Sequence, residues 1–209
     1  MLASEQVVET HFSFSPHVPE PPERRQAERH IKILRVAALD IEGRRELCLI
    51  RNISAGGLMA HVYSHVKVDE RVVAELKTGQ PLAGTIVWVK GSNAGIAVDA
   101  PVDIEELLAN PGPMDKGRRA RAPRIEVERM ATLRIDGHAS PARIRDVSQS
   151  GIKIETDEAL KIDGDVVLSP EGFRPIAGVA RWQNGRAAGI SFNQTVPLTE
   201  LIGWIKGTG

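Results

Sequence analysis

The stretch Arg24-Arg25-Gln26-Ala27-Glu28-Arg29 gathers three guanidinium groups within six residues, and 23 residues after Arg29 comes Asn52-Ile53-Ser54-Ala55-Gly56-Gly57. A guanidinium is a planar fork that makes two parallel hydrogen bonds to phosphate oxygens and also stacks on flat rings. Standing alone, such a cluster also fits the ordinary solvated basic face of a soluble protein. Asn52 and Ser54 are two apart, so at the end of a strand they project the same way. Their short polar side chains suit either a ligand's donors or the local backbone bonds of a turn. Gly56 and Gly57 carry no Cβ and let another group come close to the main chain.

The elements that position these residues occur twice. Asn52-Ile53-Ser54-Ala55-Gly56-Gly57 returns 94 residues later as Asp146-Val147-Ser148-Gln149-Ser150-Gly151, and the same ungapped offset places Arg35 on Arg129, Gly43 on Gly137 and Arg51 on Arg145. It also places Pro81, Gly84, Trp88, Gly91 and Gly95 on Pro175, Gly178, Trp182, Gly185 and Gly189. A register that keeps so many Gly, Pro and Trp residues is a tandem duplication. The expected organisation is an N-terminal arm over residues 1–23, mobile and rich in proline near its end, a first domain over 24–110, a Pro- and Gly-containing joint over 111–117, and a second domain over 118–209. The short joint predicts domains that touch.

Each copy reads as β-structure. Ile31, Ile33, Ala37, Leu39 and Ile41 alternate with polar neighbours, as do Ile125, Val127, Ala131, Leu133 and Ile135. Glu42-Gly43 and Asp136-Gly137 then supply tight turns. Further short strands are predicted over 47–50, 58–62, 72–76, 82–89 and 95–98. Six strands at this spacing suit a small closed barrel, since closure removes exposed edges. Helices are predicted over 102–108 and 196–205, the second with Pro197 in its first turn and Leu198, Leu201, Ile202 and Ile205 on one side. The fold class is therefore all-β: two tandem six-stranded barrels, each ending in a short helix. Arg35 and Arg129 fall on the buried face in both copies, which requires either an escape to solvent at a strand end or an inward partner.

An Arg-x-x-x-Arg arm followed by (Asp/Asn)-x-Ser-x-x-Gly and a six-strand pattern resembles the PilZ domain family, over nearly all of residues 24–209 counted as two copies. The resemblance implies β-barrels that bind the bacterial second messenger cyclic di-GMP. It makes Arg24, Arg25, Arg29, Asn52, Ser54, Gly56 and Gly57 the ligand-binding set of the first copy. The ligand carries two phosphodiester charges and two guanines whose O6 and N7 edges match an arginine fork. Arg24 would serve a second ligand molecule where two stack. Trp88 is either an aromatic wall of that site or, since Trp182 repeats it, a core residue shared by both copies. The second copy departs from the pattern. It keeps Asp146, Ser148 and Gly151, but Arg29 falls on Pro123, leaving Arg119 and Arg124 off the spacing, so it forms either a weaker second site or a degenerate copy serving as an interaction platform.

Composition bounds the rest. Lys and Arg number 27 against 27 Asp and Glu, and eight aromatics in all leave little for a stacking nucleic-acid groove, so no nucleic-acid partner is expected. No apolar run reaches the length of a membrane span, and residues 1–23 hold no Lys or Arg that would begin a secretory leader, which predicts a cytoplasmic chain. Cys48, the single cysteine, sits in an apolar strand and is expected to be buried and inert. His61 and His65 lack a zinc-helix pattern, and no nucleophile elbow, phosphate loop or dinucleotide fingerprint occurs, so neither enzyme, metal nor cofactor is expected. The expected partners are cyclic di-GMP and a downstream protein, the alternative being an adaptor that binds no nucleotide.

Overall fold

The computed structural model describes residues 31–76, 81–109 and 122–207. The arginine segment 24–29, the arm over 1–23 and the joint over 111–117 lie outside the described residues, as does Arg119. Strands β1 (Ile31–Ile41), β2 (Arg44–Ser54), β3 (Gly57–His61), β4 (Arg71–Leu76), β5 (Pro81–Lys90) and β6 (Asn93–Val98) close into an antiparallel barrel in the order β1-β2-β3-β6-β5-β4, followed by α1 (Ile104–Ala109). Strands β7 (Ile125–Ile135), β8 (His138–Ser148), β9 (Gly151–Glu155), β10 (Asp165–Pro170), β11 (Ile176–Asn184) and β12 (Ala187–Phe192) repeat the same closed order, followed by α2 (Leu198–Lys206).

The first hairpin of each barrel turns where the sequence predicts. Glu42 and Gly43 both have positive φ, at 47° and 81°, and Asp136 and Gly137 match them at 48° and 83°. Two successive left-handed residues give the turn whose twist fits the flanking strands. The second strand departs from expectation. The apolar run 47–50 is only its middle, for β2 spans 11 residues and carries Asn52 and Ser54 within the ladder. Its flanking polar residues, Arg44 and Arg51 exposed and Ser54 buried, continue the ladder through their backbone groups, and apolar content alone therefore underestimates the strand.

The barrel interiors are apolar. Ala37, Leu39, Ile41, Cys48, Ile50, Ile53, Ile86 and Ile96 fill the first, and Leu133, Ile144, Ile152, Ile154 and Leu168 belong to the second. Arg129 resolves one of the open questions in the sequence. Its Nη2 donates to the carbonyl of Ile205 at 3.1 Å, and the guanidinium stands 5.1 Å from the centre of the Trp204 ring. The partner of this inward cation is thus the C-terminal end of α2, where the helix dipole is negative, together with an aromatic face. Trp204, which the predicted apolar stripe omitted, is buried, and its indole N–H donates to the carbonyl of Glu171 at 2.8 Å.

The two barrels touch, as the short joint predicts. Ala38 and Leu47 are register partners on the outer face of the first barrel, yet both are buried, whereas their repeat counterparts Thr132 and Pro141 are exposed. Leu47 belongs to the apolar cluster of the second barrel, with Val36 and Tyr63 packed against it. Polar bonds frame this contact. Arg45 Nε donates to the carbonyl of Arg124 at 3.1 Å while its other nitrogens hold Asp40 and Glu75 at 2.6 Å, and Lys206 Nζ donates to the carbonyl of Tyr63.

Two outcomes are expected. Leu47→Ala should remove about 2–3 kcal/mol of coupling between the barrels, and calorimetry should then show their unfolding as two separated transitions. Cys48 is 1% exposed, and burial, helped by the charge of Glu46, pushes its thiol up to about 12. The native chain should therefore fail to react with a disulfide reagent at pH 8 and react fully in guanidinium.

Candidate functional site

Antiparallel register assembles one lateral row across the outside of the first barrel. Lys32 pairs with Asn52, Asn52 with Met59, Met59 with Gly95, and Gly95 with Trp88. Lys32 is exposed, Asn52 and Met59 are partly exposed, and Trp88 is 41% exposed. Arg29 stands three residues before Lys32 in the sequence. Asn52 and Trp88, far apart in sequence, therefore belong to one outward surface. Trp88 is not a core residue. Its indole lies over Gly95, where a Cβ would come within 1.9 Å of the ring nitrogen.

The Asn-x-Ser-x-x-Gly stretch divides its labour. Asn52 remains partly exposed, with no side-chain bond to any described residue. Ser54 is 4% exposed and its hydroxyl donates to the carbonyl of Gly57 at 3.1 Å, a bond that Ser148 repeats with Gly151 at 3.2 Å. Ser54 thus shapes the turn in which it sits. The turn is anchored again by the end of β6 and the segment after it, where Val98 N–H donates to Gly56 O at 3.2 Å and Val102 N–H to Ala55 O at 2.9 Å. Gly57 is required by its neighbour strand, because a Cβ there would lie 2.5 Å from the Ile96 carbonyl oxygen. Gly56 faces open space. Asn52 and Gly56 are the members of the motif left available to a ligand.

Beside this row stands Arg51, in a bulge where the ladder to β3 skips from Ile50 to Asn52 and the ladder to β1 skips from Lys32 to Arg35. Such a bulge re-aims side chains next to a site. Arg51, Lys32 and Met59 were not singled out by the motif. The repeat register holds a signal for them, since the second copy carries Glu126 and Lys153 in place of Lys32 and Met59.

The second barrel builds the same row with other chemistry: Glu126, Asp146, Lys153, Gly189 and Trp182. Here the Arg124 guanidinium is ion-paired with Asp146 and lies 3.7 Å from the place a Cβ on Gly151 would take. The arginine that the spacing left one place late therefore covers the motif of its own barrel, while its carbonyl receives Arg45 from the other. Among the described residues no group of His, Cys, Asp and Glu could hold a metal ion, and no helix is long and apolar enough to cross a membrane.

The two motif glycines give a direct check. Gly57→Ala should lower the melting temperature, costing on the order of 1–3 kcal/mol through backbone displacement. Gly56→Ala should leave the melting temperature unchanged, so any loss of ligand affinity in that variant reports contact with the ligand.

No curated protein matches the chain. Among solved structures it is similar to the Borreliella burgdorferi PlzA protein in complex with c-di-GMP, at 15% identity and a TM-score of 0.38, covering 87% of this chain and 93% of that one. It is also similar to the Bacillus subtilis inhibitor of motility MotI/DgrA, at 14% identity and a TM-score of 0.34, covering 85% and 96%. The K. pneumonia MrkH–c-di-GMP complex matches at 10% identity and a TM-score of 0.32, covering 83% and 84%. The family model of the PilZ domain matches twice, over residues 23–110 and 118–205. With a match to each barrel, the chain belongs to the PilZ domain family as a tandem pair.

Proposed function

We propose that this chain is a bacterial, cytoplasmic, non-enzymatic receptor that binds cyclic di-GMP on its first barrel and passes that state to a downstream protein. The observation that carries the reading is the lateral row on the first barrel, where Asn52 and Trp88 share one outward surface with Lys32, three residues after Arg29 in the sequence. Arg25 and Arg29 engage guanine edges or phosphates of one ligand, and Arg24 engages a second ligand where two stack. Asn52 meets the bases, Ser54 and Gly57 hold the turn, Gly56 leaves room above it, and Trp88 walls the far end of the row. The functional units run over 24–110 and 118–209, with 1–23 as an arm and 111–117 as the joint.

Strand β2 offers a path for the relay. It carries Asn52 at the site and Leu47 at the barrel–barrel contact, five residues and roughly 16 Å apart along one strand. Ligand binding rearranges the arginine arm and shifts that contact, and residues on its edge change what a protein partner meets. In the second barrel the Arg124–Asp146 pair favours the platform role over a site at Arg119, Arg124, Asp146, Ser148 and Gly151.

Calorimetric titration of the intact chain with cyclic di-GMP tests the reading. Binding is expected, with Arg25→Ala and Arg29→Ala each weakening it by about 1–3 kcal/mol and Asp146→Asn leaving it unchanged. Absence of heat and of any competing ligand displacement, together with a stable partner in pull-down, would establish the nucleotide-independent adaptor instead.

A further inference from the structure

The duplicated register permits a comparison within one molecule. Arg145, the counterpart of Arg51, is fully engaged. Its Nη1 holds Glu128 at 2.6 Å and its Nη2 holds Glu155 at 2.9 Å. The hydrogen bond from Arg145 keeps the Glu155 carboxyl below the ordinary glutamate range, against the opposing effect of its burial. In the first barrel the positions of Glu128 and Glu155 are filled by Leu34 and His61. Leu34 is 74% exposed, and His61 faces Asn93 across the strands at 3.4 Å. Arg51 is exposed and has no carboxylate partner among the described residues.

The surroundings change in the same sense. Around this outer face the second barrel presents carboxylates at Glu126, Glu128, Asp146 and Glu155 among the cations Arg124, Arg145 and Lys153, with Arg143 and the Arg186–Asp157 pair beside Glu155. At the four matching positions the first barrel has Lys32, Leu34, Asn52 and His61, so no carboxylate remains and Lys32 and Arg51 stand as cations. A carboxylate beside an arginine competes with an incoming anion for the same hydrogen-bond fork. Without those four, the first barrel leaves Lys32 and Arg51 open to an incoming anion with no carboxylate at these positions to compete for it. Leu34 is exposed and offers Arg51 no acceptor where Glu128 offers one to Arg145.

Resting on the reading of the first barrel as a cyclic di-GMP site, we propose that Arg51 is a further ligand-binding residue, presenting its guanidinium to a phosphodiester of the bound messenger. The loss of its carboxylate cage is then what assigns binding to the first barrel and denies it to the second. Arg51 stands on the bulge next to Asn52, within the row's margin. It is not part of either motif, which end at Arg29 and begin at Asn52.

The test titrates intact variants with cyclic di-GMP after checking that their melting temperatures match the parent. Arg51→Met should weaken binding roughly tenfold to a hundredfold, the scale of a charge-assisted hydrogen bond. Arg51→Lys should recover most of the affinity, because a phosphate accepts a point charge while a guanine edge needs the fork. Leu34→Glu combined with His61→Glu rebuilds the cage that the second barrel already tolerates, and should weaken binding as Arg51→Met does. Arg145→Met in the second barrel should change nothing. Affinity within twofold of the parent in both Arg51→Met and the caged variant, with Arg29→Ala still impaired, overturns the role of Arg51 and leaves the receptor reading intact. Failure of Arg51→Lys to recover binding overturns the phosphate contact. A parent chain that binds no cyclic di-GMP overturns the receptor reading and this inference with it.

Discussion

The hydrogen-bond register of β2 is the constraint on which the rest depends. As the second strand of a closed barrel it is fixed on both sides, by β1 and by β3, and cannot slip without turning Ile50 and Ile53 out of the core. That fixed register sets Asn52 between Lys32 and Met59 and sets Leu47 beside Ala38. One strand therefore supplies a site residue at one end and the anchor of the second barrel at the other. The bulge at Arg51 is the single irregularity between them, and it is tolerated because the ladder resumes correctly on each side.

Duplication gave two copies of this frame, which differ both in core size and in the chemistry of the outer surface. The interiors stay apolar while large and small residues trade places: Ala60 and Ala74 match Ile154 and Leu168, and Ile86 matches Ala180. Outside, Leu47 and Tyr63 became apolar contacts in the first copy where the second has Pro141 and Asp157, and the acidic cluster of the second copy has no equivalent in the first. The contact is thus not reciprocal: the face that the first barrel uses to hold the second is left open on the second. Arg124 belongs to both arrangements, since its side chain closes its own motif and its carbonyl accepts Arg45.

Much of the fold was legible in the sequence because it follows from short-range rules. Alternation gave β1 and β7, the acidic-glycine pairs gave the first hairpins, and the duplication gave everything a second time. Strand ends were less legible, as β2 shows, because polar residues continue a ladder with no change in the apolar pattern. The inward Arg129 was visible, but its partner was not, since the bond to Ile205 joins residues 76 positions apart. At the site, the motif named Asn52, Ser54, Gly56 and Gly57 together, while only coordinates separate Asn52 and Gly56, which face outward, from Ser54 and Gly57, which serve the turn. Lys32 and Met59 became members of the row through cross-strand pairing, which no linear spacing encodes.

The indoles lying across Gly95 and Gly189 carry a consequence for how such a chain can diverge. Any side chain on either glycine would collide with the ring above it, and loss of either ring would bare a weak stretch of glycine backbone on the barrel wall. Neither member of a pair can drift alone, so each tryptophan and its glycine are inherited as a single unit. That the two units survive in both halves, while their neighbours have exchanged charge and polarity freely, marks this spot as a fixed point around which the rest of the wall was free to vary.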